Sequence, residues 1–196
     1  MTPFILIPLI IAHFKGYRAH RVFLVCDLYP LFATVLCHGV FIIFAWCGNH
    51  YFVQYAAWLQ RAIILSLLLP ILRRKITLPA LFGVGITLIG ALMNHIVISA
   101  NGGMPSAPTL SKLIGFYRDG QLESGLIDSI HTVFNDAVKY PFLANYIDLG
   151  VCILSPGDVL IHSFASIIVY YTVKAYKHTA HPIACGTKPR KISTIK

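Results

Sequence analysis

Four apolar runs, each about as long as a membrane is thick, constrain the fold of this chain more than any other feature. A membrane-spanning helix needs about 20 consecutive, mostly apolar residues. This length is met by Leu28–Cys47, Phe52–Leu72, Leu78–Ala100 and Pro156–Ala175, whereas a fifth run, Pro3–Phe14, is too short to cross alone. Only 12% of the 196 residues are charged, about half the share found in soluble domains. The sequence therefore predicts an integral membrane protein.

The segment between the third and fourth full runs, residues 101–150, carries a helical pattern of its own. Apolar residues recur at helical spacing first in Leu110–Tyr117 and then in Leu126–Val138, which favours amphipathic helices on the membrane surface. Together these patterns predict an all-α integral membrane protein with four full transmembrane helices, a short N-terminal hydrophobic helix and amphipathic helices in the outer segment. We expect residues 1–176 to form this single membrane domain and residues 177–196 to form a basic tail.

The positions of the basic residues predict the orientation of the chain. Lys and Arg concentrate in the cytoplasmic loops of membrane proteins. They occur here after the first run, in Arg73–Lys75 and throughout the tail, whereas segment 101–150 holds three bases against five acids. We therefore expect the C-terminus to be cytoplasmic and segment 101–150 to lie outside. The net charge of +9 then belongs to loops that face membrane lipids, and we expect no nucleic-acid partner.

Several polar side chains lie at a similar depth in the outer half of the predicted bundle. Arg61 is well inside its run, and a charge near the centre of a membrane costs about 2.5–3.5 kcal/mol. Asp158 is the nearest acid. Three histidines share the same level: His38, His95 and His162. We predict that Arg61, Asp158 and His162 face each other; an arginine that only locks two helices, and histidines that only pack, are the alternatives.

The run Leu78–Ala100 ends abruptly in the motif NGGMP. Gly102 or Gly103 can take the left-handed conformation that ends a helix, and Pro105 prevents its resumption. The backbone N–H groups of these glycines could also form the rim of an anion-accepting pocket. Small residues and one amide repeat along one face of the same run, which predicts a closely packed neighbouring helix; they are Gly83, Thr87, Gly90 or Ala91, and Asn94.

The last run opens with SPGDVLIH. Ser155 is a candidate N-cap, Pro156 fits the first helical position and Asp158 the first turn. These roles explain the start of a helix but not His162, which follows one turn later on the same face. The candidate ligand-binding residues are therefore His38, Arg61, Asn94, His95, Gly102, Gly103, Asp158 and His162. The five cysteines lack metal-binding spacing, so no residue is assigned a metal-binding role. No serine or cysteine nucleophile with a paired base is visible, so no residue is assigned a catalytic role. A disulfide between Cys47 and Cys152 is one alternative that the sequence allows.

Three motifs carry a resemblance to a known family. They are NGGMP at the end of a hydrophobic helix, FNDA shortly after His131, and SPGDVLI at the start of the last helix. They resemble motifs of a family of small, about five-span bacterial membrane proteins, known only as a domain of unknown function. The resemblance implies a multi-pass protein of the bacterial cytoplasmic (inner) membrane and no particular activity. The family tends to have an acid where this chain has Asn145, so no catalytic role is carried over to that residue.

Three functions are open at this point. The first is a non-catalytic polytopic membrane protein, either an accessory subunit of a larger membrane protein complex or a protein that binds a small molecule or lipid in an outward-facing polar pocket. Three histidines and an arginine in the polar layer favour an anionic ligand. The second is a subunit that carries haem or a chlorophyll-type pigment through His38 and His162. The third is a membrane aspartyl hydrolase, because Asp136 and Asp148 lie in motifs similar to pieces of those of the lipoprotein signal peptidases.

Overall fold

The computed structural model describes residues 2–17, 25–47, 51, 55–114 and 131–177. The helices are α1 (Thr2–Phe14), α2 (Tyr29–Trp46), α3 (Ala56–Ser66), α4 (Leu68–Arg74), α5 (Thr77–Asn101), α6 (Leu110–Leu113) and α7 (Pro156–Lys177). The strands are β1 (Met104–Ser106), β2 (His131–Val133), β3 (Ile147–Asp148) and β4 (Ile153–Leu154). Short 3-10 turns occupy Cys26–Leu28 and Pro141–Leu143. The basic tail beyond Lys177 lies outside the described residues, as do the loop bases Arg18 and Arg21.

Three of the described helices are long and apolar enough to cross a membrane. They are Cys26–Trp46, which includes α2, then α5 (Thr77–Asn101), and Pro156–Tyr176 of α7. The short N-terminal apolar helix is also present, as α1. The fourth expected span differs, because the run Phe52–Leu72 corresponds to two helices, α3 and α4, with Leu67 between them.

The break between α3 and α4 has a local cause that was readable in the sequence. Pro70 has no N–H group, and its ring collides with the carbonyl group four residues earlier, that of Ser66. The Ser66 hydroxyl also donates a hydrogen bond to the carbonyl oxygen of Ile63 at 2.6 Å, an arrangement that often bends helices. The prediction of one continuous helix over this run is therefore wrong.

The helices α5 and α7 pack antiparallel along the predicted stripe of small residues. A Cβ atom added at Gly83 would lie 2.7 Å from the Phe164 ring, and one added at Gly90 would lie 2.5 Å from the carbonyl oxygen of Gly157. Non-bonded carbon atoms pack best at about 3.5–4.0 Å, so larger side chains here would push the two backbones apart. The prediction of a closely packed neighbour for this face is confirmed.

The helix α1 packs along α7 and runs in the same direction. Near the start of α1, the Ser166 hydroxyl donates a hydrogen bond to the carbonyl oxygen of Phe4 at 2.5 Å. Beyond its end, the Lys15 ammonium lies 5.6 Å from the centre of the Tyr170 ring. The core between α2, α3, α4 and α7 includes the fully buried Leu28, Leu31, Ile63, Leu67, Ile168 and Val169.

One end of the bundle is held by a buried acid whose role the sequence analysis missed. Asp27 is only 3% exposed, and its carboxylate accepts hydrogen bonds from Arg73 Nη1 at 3.0 Å and Arg74 Nε at 2.6 Å. The Arg74 guanidinium also lies 5.6 Å from the centre of the Tyr176 ring. We call this the basic end of the bundle; its basic residues are Lys15, Arg73, Arg74, Lys75 and Lys174.

The described residues of segment 101–150, at the end opposite the basic end, do not form the predicted amphipathic helices. The helix α6 has four residues, and His131–Val133, which the second helical pattern included, is a strand. β1 pairs in parallel with β2, β3 pairs antiparallel with β4, and Ser106 bridges to Asn145. Once Gly102 and Pro105 have ended α5, buried backbone groups need other partners, and short strand pairing supplies them. The fold is therefore mainly helical but not all-α; the predicted helical residues 115–130 lie outside the described ranges.

Candidate functional site

A cavity of about 260 Å³ lies inside the bundle at the end opposite the basic end. Its walls come from the starts of α1 and α7, from the C-terminal half of α2, from the middle of α3 and from the β3–β4 hairpin. The residues that line it are Pro3, His38, Ile42, Gln60, Ile63, Leu149, Val151, Cys152, Leu154 and His162. The walls are thus mainly apolar, with a few polar groups, as in most small-molecule sites.

Two histidines that line this cavity each have a buried, unpaired polar atom. The Nδ1 atoms of His38 and His162 are buried, and neither has a hydrogen-bond partner among the described residues. His162 is 9% exposed, and its ring packs against Phe4 with the ring centres 5.2 Å apart. A buried polar atom without a partner costs about 1–3 kcal/mol. These two histidines make the cavity the candidate functional site.

The helix starts explain why these two side chains meet. Pro156 begins α7, so His162 lies nearly two turns from the start of this helix. His38 lies at a similar distance from the end of α2 at Trp46. The predicted shared depth of His38 and His162 therefore brings them to one cavity. His95, the third histidine of that layer, is exposed on α5 and does not line the cavity.

A second polar cluster lies between α5 and α7, and it is closed on itself. Asn94 Nδ2 donates to Asp158 Oδ1 at 2.8 Å, and the Ser155 hydroxyl donates to Asn94 Oδ1 at 2.8 Å. The Ser155 N–H donates to Asp158 Oδ2 at 3.0 Å, while the Asp158 N–H donates to Ser155 Oγ at 2.9 Å. The last two bonds form a reciprocal cap of α7. Since these side chains satisfy one another, the cluster stabilises the helix pair and offers little to a ligand.

The predicted meeting of Arg61 with Asp158 and His162 is wrong. Arg61 is exposed, and its guanidinium lies 5.0 Å from the centre of the Trp58 ring. Within the described ranges, no carboxylate forms an ion pair with it. The helix α3 begins only at Ala56, which places Arg61 about 7.5 Å from its start. An arginine near the end of an apolar helix can extend its side chain toward a polar boundary and needs no acid.

The glycines of NGGMP end α5 and do not line the cavity. Gly102 has φ +68°, the left-handed conformation expected of a helix stop. The preceding residue, Asn101, fastens the outer segment: its Nδ2 donates to the Lys139 carbonyl at 2.9 Å and its Oδ1 accepts from the Lys139 N–H at 2.8 Å. Gly103 is buried beside this contact. The prediction of a helix stop is confirmed, and the anion-pocket interpretation finds no support here.

Asp148 is also occupied by structural contacts. Its Oδ2 accepts hydrogen bonds from the Thr109 N–H, the Ser111 N–H and the Ser111 hydroxyl at 2.8, 2.9 and 2.6 Å, and its Oδ1 accepts from the Gly150 N–H at 2.8 Å. Partial burial alone would raise the pKa of Asp148, but these hydrogen bonds hold it below its ordinary value. The carboxylate caps α6 and shapes the hairpin, whereas Asp136 is exposed in a turn. Nothing here favours a catalytic pair.

The cavity residues Gln60 and Cys152, and the hairpin that carries Cys152, were missed by the sequence analysis. Burial raises the pKa of the Cys152 thiol above its ordinary value, so it is a poor nucleophile. Cys47 and Cys152 are both free thiols. In the described part of the chain, no three His, Cys, Asp or Glu side chains are placed to hold a metal ion.

Residues 23–170 match the pattern of a family of unknown function, DUF5317. The chain belongs to this family. No curated protein and no solved structure matches it. The region shared with the family begins before α2 and ends within α7, so it contains both cavity histidines and the hairpin, whereas α1 with Pro3 and Phe4 lies outside it.

Proposed function

We propose that this protein binds a small molecule in the cavity between His38 and His162 and does not catalyse a reaction. The observation that carries the proposal is that two histidines line one cavity and that each has a buried Nδ1 atom without a partner within the described structure. Buried polar atoms in proteins are almost always hydrogen-bonded. A ligand that bonds to both imidazoles removes the free-energy penalty of leaving them unpaired.

We further propose that the protein is a multi-pass protein of the bacterial cytoplasmic membrane whose cavity faces outward. The basic end gathers the cations that the positive-inside rule assigns to the cytoplasm, and α7 ends there, which favours a cytoplasmic C-terminus. The helices α3 and α4 run from Gln60 at the cavity to Arg74 at the basic end. Laid end to end, the helical residues from Ala56 to Arg74 have a length of about 28 Å, close to the roughly 30 Å of the hydrocarbon core. In this proposal they form the fourth, bent crossing.

The size of the cavity disfavours the cofactor alternative. Drug-sized ligands occupy pockets of about 300–1,000 Å³, and a tetrapyrrole is larger than most of them. At about 260 Å³, the space between His38 and His162 does not accept a haem or a chlorophyll-type pigment without moving helices. The paired histidines, which suggested axial ligation, are better explained as hydrogen-bonding groups for a smaller molecule.

The membrane-facing surface is the place for other partners. Only 11% of the apolar window of Cys26–Trp46 and 17% of that of α5 are buried within the chain. Membrane lipids cover such surfaces in a single chain, and other subunits cover them in a complex. An accessory role in a larger membrane protein complex is therefore compatible with ligand binding in the cavity.

The proposal is tested by asking what the purified protein retains. The wild-type chain, His162→Leu and His95→Leu are purified in a mild detergent, and their organic extracts are compared by mass spectrometry and absorption spectroscopy. We expect one small molecule to be retained by the wild type and by His95→Leu, the control on an exposed histidine, and to be lost from His162→Leu. Identical extracts from all three proteins would contradict the proposal, and a Soret or chlorophyll band would favour the cofactor alternative.

A further inference from the structure

The cavity contains no residue with a permanent charge. Of the ten lining residues within the described structure, none is Asp, Glu, Lys or Arg. The two charged residues that the sequence analysis placed at this site have other contacts. Asp158 accepts hydrogen bonds from Asn94 and Ser155, and the Arg61 guanidinium lies over the Trp58 ring. Burying an ion without a counter-charge or several hydrogen bonds is very unfavourable. The described lining residues therefore offer a ligand hydrogen bonds and apolar contacts, and none of them supplies a fixed counter-charge for an anion.

The lining and the opening of the cavity indicate a ligand with a compact head group and an apolar tail. Six of the ten described lining residues are apolar: Pro3, Ile42, Ile63, Leu149, Val151 and Leu154. Gln60 and Leu149 are exposed as well as lining, so the cavity opens beside them on the outer part of the bundle. A ligand that enters there from the membrane can keep a hydrocarbon tail outside while its head occupies the cavity.

The two imidazoles set the chemistry of that head. In neutral histidine, either ring nitrogen can be an N–H donor or a lone-pair acceptor, depending on the tautomer. Two histidines on one cavity can therefore donate to two carbonyl oxygens or accept from two hydroxyl groups. A ring with an oxygen atom at each of two opposite positions can form a hydrogen bond with both histidines, whereas a simple alcohol can bond with only one of them.

We infer that the cavity binds the head of a lipid-soluble quinone or of its quinol, with one ring oxygen at His38 and the other at His162. This inference rests on the proposed ligand-binding function and names its ligand class. It concerns binding alone. The tautomers of the two histidines allow the carbonyl and hydroxyl forms of the same ring to bind in one position.

The test is a titration of the purified full chain, in detergent micelles, with decylubiquinone and with its reduced quinol, followed by tryptophan fluorescence and corrected with empty micelles. We expect both forms to bind, with His38→Leu and His162→Leu each weakening binding about tenfold through the loss of one hydrogen bond. The control His95→Leu should bind as the wild type does. Thermal unfolding of each variant verifies that it is folded.

The other outcomes separate this inference from the function on which it rests. Equal quinone binding by the wild type, His38→Leu and His162→Leu means that the ring does not occupy the cavity, and the inference is wrong. No quinone binding, together with a different co-purified molecule that His162→Leu loses, overturns the quinone class and leaves the ligand-binding function standing. No quinone binding and no retained molecule in the wild type contradicts both.

Discussion

Two polar groups on the same helix, four residues apart, have opposite surroundings in this protein. Asp158 faces α5, where Asn94 and Ser155 satisfy its carboxylate. His162 faces α1 and the cavity, where its Nδ1 atom has no partner among the described residues. Both are polar, buried or half-buried, and near the outer end of α7. The difference teaches that polarity and depth do not separate a structural cluster from a candidate binding site; here the separation comes from an unpaired buried atom on a residue that also lines a cavity.

The largest expected effect concerns the contact that brings the structural cluster together. A Cβ at Gly90 would lie 2.5 Å from the Gly157 carbonyl oxygen and 2.9 Å from Leu160 Cβ. Gly90→Ala should therefore separate α5 from α7 and lower the free energy of unfolding by about 1–3 kcal/mol. The matched control is Gly85→Ala on the same helix, where an added Cβ atom would have no neighbouring atom within 4 Å. Alanine at this position should stabilise the helix slightly. Unfolding in mixed micelles measures both, and equal stabilities would contradict the close packing.

The next effect separates the cluster from the cavity. Asn94→Ala removes one hydrogen bond from Asp158 Oδ1 and one from the Ser155 hydroxyl, which should cost about 1–3 kcal/mol of stability. It leaves their reciprocal cap in place. A double-mutant cycle with Ser155→Ala should show coupling above about 0.5 kcal/mol, measured by the same unfolding experiment. The folded Asn94→Ala protein should still retain the cavity ligand. Additive effects would show that the cluster is not cooperative, and loss of the ligand would show that it belongs to the site.

A smaller effect should appear in the outer segment on acidification. The pKa of Asp148 is lowered in the folded state. Its contribution to the free energy of unfolding is therefore fully present above the unfolded-state pKa of about 3.9, and it is lost as the pH falls through the lower folded-state pKa. The amides of Thr109 and Ser111, which donate to this carboxylate, should then exchange faster with deuterium. Asp148→Asn should give fast exchange already at neutral pH, with a stability loss of about 1 kcal/mol. Asp136→Asn, at an exposed turn, is the control and should exchange as the wild type does.

The smallest effect is expected at Arg61. Its guanidinium is exposed beside Trp58, so Arg61→Gln should change the free energy of unfolding by less than about 0.5 kcal/mol and leave ligand retention unchanged. Unfolding in micelles and mass spectrometry of the extract measure the two quantities. A loss comparable to that of Asn94→Ala would mean that Arg61 has a buried partner, as the sequence had suggested.

Much of the fold was predictable because its causes are local. Run length predicted the spans at α2, α5 and α7, the spacing of Gly83, Gly90 and Asn94 predicted the α5–α7 contact, and Gly102 marked the end of α5. The break at Leu67 was also local, since Pro70 marks it, but the apolar length of the run was given more weight. Ser155 and Asp158 were correctly assigned to the start of α7.

The parts that could not be predicted depend on which helices become neighbours. Whether Asp158 faces Asn94 or Arg61 is decided by the packing of α7 between α5 and α1, and depth along a helix does not contain that information. The strands of the outer segment have two or three residues each, too few for a periodic pattern. The cavity residue Cys152 therefore gave no signal, and Asp27 gave none that linked it to Arg73 and Arg74.

The central claim is that the unpaired histidines mark a binding site, whereas the satisfied cluster does not. Native mass spectrometry of the intact protein released from detergent tests it most directly, with the wild type, Asn94→Ala, and the double variant His38→Leu/His162→Leu compared side by side. The account predicts the same added mass on the wild type and on Asn94→Ala, and none on the double variant. An added mass that persists on the double variant, or that disappears with Asn94→Ala while the protein remains folded, would contradict it.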